Sequence, residues 1–305
     1  MTQVSTGIDV TNSTVDFSVG GVAVRVRVSD ERLVSLLRRT RSAFPSTSTD
    51  ADILVDVDWS NEIGSFQGDE IFDSGETWKL YRDSDGMRFA FSSPVFEHGP
   101  YREATMSDSF TTVNVRLDAR LRDAGRFFDP LEFPLEEIVV LGYLSRGRGV
   151  LVHACGIVDS DGRGHLFLGH SGAGKTTISR LWDQTPGVRL LSDDRIIVRA
   201  DSSGPRMYGT PWHGEAEYAA AESAPLSRIY VLEHASSNEM RPLGTAEAVA
   251  CIFARGFPPF FDAKAIEFIL EFFGRLAHEV PCVAFGFVPD STATEFVLRE
   301  SGLPA

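Results

Sequence analysis

Two periodicities divide the chain. Over residues 1–128 apolar and polar positions alternate with period two, the mark of half-buried strands. Val15-Asp16-Phe17-Ser18-Val19 and Val22-Ala23-Val24-Arg25-Val26-Arg27-Val28 show it most clearly, and Gly20-Gly21 between them signals a hairpin. Asp30 is placed to cap a helix through about Ala43, with Leu33, Val34, Leu36 and Leu37 on its apolar face. Pro45-Ser46-Thr47-Ser48-Thr49 reads as a loop. Ile53 to Val57, Trp78 to Tyr81, Met87 to Phe91 and Thr111 to Leu117 read as further strands, separated by turns such as Asp85-Gly86. The pattern predicts a β-rich α+β domain over 1–128.

The reading changes near Asp129-Pro130. Leu131 to about Leu144 has a helical pattern, with two glutamates near its start and Gly147 after its end. Gly149 to Val158 is an apolar strand, Asp159 to Gly164 a turn, and His165-Leu166-Phe167-Leu168 a second strand. Val188 to Leu191, Ile196 to Arg199, Arg206 to Tyr208, Ile229 to Leu232 and Val283 to Val288 follow as strands. Helices are expected at Thr176 to Trp182, Thr245 to Ala254, Ala263 to Ala277 and Thr292 to Glu300. Strands alternating with helices indicate an α/β domain over 129–305.

Composition narrows the function. The 305 residues are 43% hydrophobic and 24% charged, ordinary for a soluble protein of two domains. The net charge of −14 argues against a nucleic acid partner, which demands clustered Lys and Arg. The basic run Arg116 to Arg126 reads as a solvated face. No apolar run approaches the ~20 residues of a membrane span, and Met1 to Val10 has neither the basic start nor the apolar core of a secretion signal. Cys155, Cys251 and Cys282 are far apart and lack metal-ligand spacing. They read as reduced thiols of a cytoplasmic protein.

The densest chemistry lies in Gly169-His170-Ser171-Gly172-Ala173-Gly174-Lys175-Thr176-Thr177, which fits the phosphate-loop pattern. Glycines let the backbone turn so that successive N–H groups face an anion. Lys175 would reach the outer phosphates of a nucleoside triphosphate, and the Thr176 hydroxyl would hold Mg²⁺. A strand before and a helix after complete the required context. His170 occupies a variable position and reads as a loop side chain.

Asp193 and Asp194 follow the next strand. Carboxylates there can meet the metal and take a proton from an attacking hydroxyl, or simply cap a turn. His153 sits in an apolar strand, and by pattern alone it is a satisfied core residue. Gly209-Thr210-Pro211-Trp212-His213-Gly214-Glu215 combines turn residues with Trp212, His213 and Glu215, and reads as a substrate loop near the site. Phe257-Pro258-Pro259-Phe260-Phe261 reads as core packing.

Leu151-Val152-His153-Ala154, the phosphate loop and Leu191-Ser192-Asp193-Asp194 together resemble the C-terminal domain of bacterial HPr kinase/phosphorylase, over roughly residues 130 to 300. The phosphate loop also resembles that of ATP-dependent phosphoenolpyruvate carboxykinase, a structurally related enzyme. The resemblance implies a P-loop kinase domain of that type, with Gly169 to Thr177 on the ATP phosphates. It implies that Thr176, Asp193 and Asp194 hold Mg²⁺, that the acid pair activates an acceptor hydroxyl, and that His153 lies near the transferring phosphate. In that family the acceptor is a serine of a small carrier protein, and the reverse phosphorolysis also occurs. The first 130 residues do not resemble the family's N-terminal domain, and Gly209 to Glu215 stands where its Glu-x-Arg-Gly segment would fall. The chain looks like a divergent relative, so a protein, a peptide or a small hydroxyl compound is the expected acceptor; the oligomeric state stays open. The alternative is a nucleotide-binding regulatory or scaffold protein without phosphotransfer. Convergence of His153 and the acid pair on the phosphate loop favours the enzyme; dispersal favours the switch.

Overall fold

Residues 13–301, apart from 65–67, 76, 84–85 and 97–98, are described by a computed structural model. Met1 to Val10 and Asp85 of the expected turn lie outside the described residues. The chain divides into two compact units, one built from the described residues up to Phe17 and from Ala23–Val139, the other from Ser18–Val22 and from Val140 onward.

The first unit holds an eight-stranded sheet in the order β1-β2-β3-β8-β7-β6-β5-β4. The strands are β1 (Ser13–Val19), β2 (Val22–Val28), β3 (Ile53–Ser60), β4 (Asp69–Asp73), β5 (Trp78–Asp83), β6 (Gly86–Phe91), β7 (Arg102–Met106) and β8 (Thr112–Asp118). Helix α1 (Glu31–Thr40) carries the chain from β2 to its parallel neighbour β3. The Asp30 carboxylate caps it by accepting from Arg32 N, and Leu33, Val34 and Leu37 are buried. The helix ends at Thr40 rather than Ala43, and the chain then turns at Arg41–Ala43. A short α2 (Ala119–Asp123) follows β8 and falls inside the basic run, whose four arginines are exposed as expected. Strand β7 escapes the pattern because Arg102 and Glu103 interrupt its apolar positions, although both are buried.

Helix α3 (Leu135–Leu144) begins later than Leu131 because Pro134 has no N–H to continue a helix backwards. The second unit is a mixed α/β structure. Its strands are β9 (Val150–Val158), β10 (Gly164–Leu168), β11 (Arg189–Ser192), β12 (Arg195–Asp201), β13 (Gly204–Tyr208), β14 (Ser223–His234), β15 (Glu239–Pro242) and β16 (Cys282–Phe287). The order is β10-β9-β12-β13-β14-β16-β15, with β11 also on β9 and β10 also on β14. Among the described residues of this unit only the β10–β14 and β14–β16 pairs are parallel.

Helices α4 (Lys175–Asp183) and α7 (Thr292–Glu300) cover one face, where Phe167, Ile178, Trp182, Tyr230, Phe285 and Val297 pack together. Helices α5 (Thr245–Phe253) and α6 (Ala263–Glu279) cover the other, against Leu166, Leu168, Ile229, Val231, Ile252 and Phe273. Alternate residues of β10 and β14 therefore enter opposite cores, which is why both strands read as continuous apolar runs.

Candidate functional site

The phosphate loop leaves β10 at Gly169 and enters α4 at Lys175. Gly174 has φ +99°, a left-handed backbone that an L side chain resists. A Cβ there would also lie 2.7 Å from the Phe287 ring. Lys175 is buried, and its Nζ donates to the carbonyls of Gly169 at 2.9 Å and His170 at 3.3 Å. Burial pushes its pKa below the usual lysine value, partly offset by the charge of Asp194. His170 is exposed, with Nδ1 2.6 Å from its neighbour's carbonyl, as expected of a loop side chain.

Strand register brings the remaining groups together. Leu168, just before the loop, pairs with Ala154 on β9, while Arg195 pairs with His153 from the other side. His153 thus lies between the start of the phosphate loop and the acid pair. Its Nε2 is 2.9 Å from Asp194 Oδ1, and the other carboxylate oxygen is paired with Arg195. Burial alone would raise the pKa of Asp194. The hydrogen bond to His153 and the charges of Arg195, His153 and Lys175 outweigh that and hold it below the usual carboxylate value.

Asp193 is buried and faces elsewhere. It accepts from the amides of Gly214 at 2.9 Å and Ala216 at 2.8 Å, so the loop that begins at Gly209 does reach the acid pair. It holds Asp193 with backbone amides rather than with the side chains singled out from the sequence. His213 and Glu215 are exposed, and Trp212 is half-buried with its carbonyl accepting from Ser192 Oγ at 3.3 Å.

Three residues of this end of the sheet were missed. Arg195 stacks 4.5 Å over the Phe257 ring, and His153 stacks on the same ring at 6.3 Å. Arg255 accepts the His153 amide at 2.7 Å through its carbonyl, and its charge contributes to the lowering of Lys175. Phe257 therefore belongs beside the site rather than in the core, and Phe260 is 70% exposed; only Pro258 and Pro259 of that run are buried. The signal available in advance was an arginine directly after an acid pair, too common to single out.

The donors expected for a divalent cation are the Thr176 hydroxyl and the two carboxylates. Among the described residues no group of three or more His, Cys, Asp or Glu side chains could hold a metal. Asp193 has both carboxylate oxygens on backbone amides, so Thr176 and Asp194, completed by phosphate and water, are the residues whose chemistry fits Mg²⁺. Cys155 and Cys282 are buried, Cys251 half-buried, and all three are free thiols. Among the described residues no helix is long and apolar enough to cross a membrane.

No family model matches the chain. Over 102 residues, 33% of its length, it is 34% identical to the ATP-dependent phosphoenolpyruvate carboxykinase of Deinococcus radiodurans. It spans about a fifth of that enzyme, the matched part being 21% of it. It is also similar to the solved structure of the Hpr(Ser) kinase/phosphatase from Coxiella burnetii. There the match covers 50% of this chain and 95% of the other, at 14% identity and a TM-score of 0.31.

Proposed function

We propose that this protein is an ATP- and Mg²⁺-dependent kinase of the HPr kinase-like type, transferring the γ-phosphate to a hydroxyl, the expected acceptor being a serine of a protein or peptide, or a small hydroxyl compound. The observation that carries the reading is the His153–Asp194 pair at 2.9 Å on the strand next to the phosphate loop, within electrostatic reach of Lys175. A regulatory switch needs the phosphate cradle but has no use for a carboxylate–imidazole pair at its mouth. The 102-residue similarity to an enzyme named for its use of ATP supports a nucleoside triphosphate.

In this reading the amides of Gly169 to Thr177 and the Lys175 ammonium hold the phosphates and stabilise charge as it moves to the β,γ-bridging oxygen. The acceptor oxygen bonds to the γ-phosphorus, the bridging bond breaks, and ADP leaves. Asp194 takes the hydroxyl proton, with His153 orienting its carboxylate. Thr176 and Asp194 would hold Mg²⁺, which supplies charge neutralisation at the phosphates when bound. The net charge of −14 agrees with a partner other than nucleic acid, and the three free thiols agree with the cytoplasm.

Incubation with γ-labelled ATP, Mg²⁺ and a panel of serine peptides and small alcohols tests it. Label should appear in an acceptor with wild-type protein and vanish with Lys175→Ala. Tight ATP binding with no transfer to any acceptor would favour the switch instead.

A further inference from the structure

The irregular stretch Gly209–Glu222 between β13 and β14 is stitched onto the site at several points. Thr210 Oγ1 donates to Arg195 O at 2.8 Å, and Ala220 N to Leu191 O at 2.9 Å. Asp193 takes one amide on each carboxylate oxygen, from Gly214 and Ala216. Gly214 is there for closeness, since a Cβ would lie 2.8 Å from Asp193 Oδ2 and 3.2 Å from Asp194 Cβ. Glu217 has φ +60°, uncommon for a residue with a side chain. Beyond it, Tyr218 is hydrogen-bonded to Asp183, the last residue of α4. The stretch therefore runs from the acid pair to the far end of the helix that begins at the phosphate loop.

We propose that Asp193 is a positioning residue that anchors this loop, acting through the Gly214 and Ala216 amides rather than as a metal ligand. The anchored loop then presents Trp212, His213 and Glu215 to the acceptor. The presentation rests on the kinase reading; the anchor does not. Asp193 divides its labour from Asp194 by geometry. One carboxylate faces a pair of backbone donors and is 3% exposed, while the other faces His153 and Arg195. Two amides on one carboxylate are charge-assisted bonds, so losing one should loosen the loop locally.

The test compares Asp193→Asn, whose side-chain amide would face one of the N–H donors, with Ala216→Pro, which deletes one donor and leaves the carboxylate. Hydrogen exchange of amides 209–222, Mg²⁺-ATP binding by calorimetry, and ATP turnover are measured on each full-length variant. Both variants should exchange in the loop roughly tenfold faster or more, the factor that ~1.4 kcal/mol corresponds to. Both should bind Mg²⁺-ATP within about twofold of wild type while kcat falls and KM for ATP holds. Unchanged loop exchange in both variants would overturn the proposal. So would a tenfold or greater loss of Mg²⁺-ATP affinity, on the order expected for a lost ligand, in Asp193→Asn alone. If wild-type protein binds no Mg²⁺-ATP, the kinase reading fails, and the exchange data still decide the anchor.

Discussion

Replacing Asp194 by Asn keeps the shape of the side chain and removes its charge, so stability and catalysis should respond very differently. The carboxylate is 24% exposed and bonded to His153 and Arg195. A half-exposed pair of this kind contributes on the order of 1 kcal/mol, well short of the 3–5 kcal/mol of a fully buried one. The folded state should therefore persist, with a melting temperature lowered by only about 2–4 °C. Loss of a proton acceptor costs roughly 10²- to 10⁴-fold in rate, or about 2.7–5.4 kcal/mol of barrier. Mg²⁺-ATP affinity should fall by no more than about tenfold, the order of one lost metal contact, because the phosphates stay held by Lys175 and the loop amides. Turnover, calorimetry and a thermal melt on the same preparation measure all three. Turnover within a few-fold of wild type, or a parallel collapse of nucleotide affinity, would refute the role given to Asp194. The lowered Asp194 pKa adds a pH signature. Activity needs the ionised form, so the rate should hold its plateau down through the ordinary carboxylate range near ~3.9 and fall only below it.

Lys175→Ala removes a buried ammonium and leaves the carbonyls of Gly169 and His170 without that donor, so Mg²⁺-ATP binding by calorimetry should fall at least about 100-fold, the order of a lost charged contact to phosphate. Gly174→Ala combines a left-handed backbone penalty with a clash 2.7 Å from the Phe287 ring. It should cost about 2–4 kcal/mol in chemical denaturation and weaken nucleotide binding with it. Asp159 lies at the opposite end of β10, fully buried, 3.0 Å from His165 Nε2 and bonded to the amides of Asp161 and Arg163. Burial would raise its pKa, but the bond to His165, the backbone bonds and the His165 charge outweigh it and the net shift is downward. Its contribution is therefore complete above the unfolded carboxylate value of ~3.9 and is lost as pH falls through the lower folded value. Urea denaturation from pH 6 to 2 should show that loss in wild type. Asp159→Asn should remove it and lower stability at neutral pH by about 3 kcal/mol.

The phosphate loop and the elements flanking it were legible because their signals are local. Glycine spacing, an apolar strand and a helix all fall within twenty residues, from His165 to Asp183. The strands of the second unit announced themselves as apolar runs because both faces are covered. Short edge strands did not. β4 is almost wholly exposed and β15 is four residues long, so neither buries enough to impose a pattern. The site's partners were harder still. His153 meets Asp194 only because β9 and β12 pair in one register, and Phe257 arrives through a single bridge between Val152 and Gly256. The grip on Asp193 comes from backbone amides, which any residue but proline supplies. Side-chain identities at Gly214 and Ala216 carry no trace of it beyond the need for a small residue at Gly214.

The central claim is that the hollow formed by Gly169 to Thr177 with Lys175 at its floor binds a nucleoside triphosphate. Calorimetric titration of the full-length protein with Mg²⁺-ATP measures it directly. One molecule should bind per chain, and the heat should disappear in Lys175→Ala while the variant's thermal melt shows it still folded. No binding to wild-type protein, or equal binding to folded Lys175→Ala, would contradict the account.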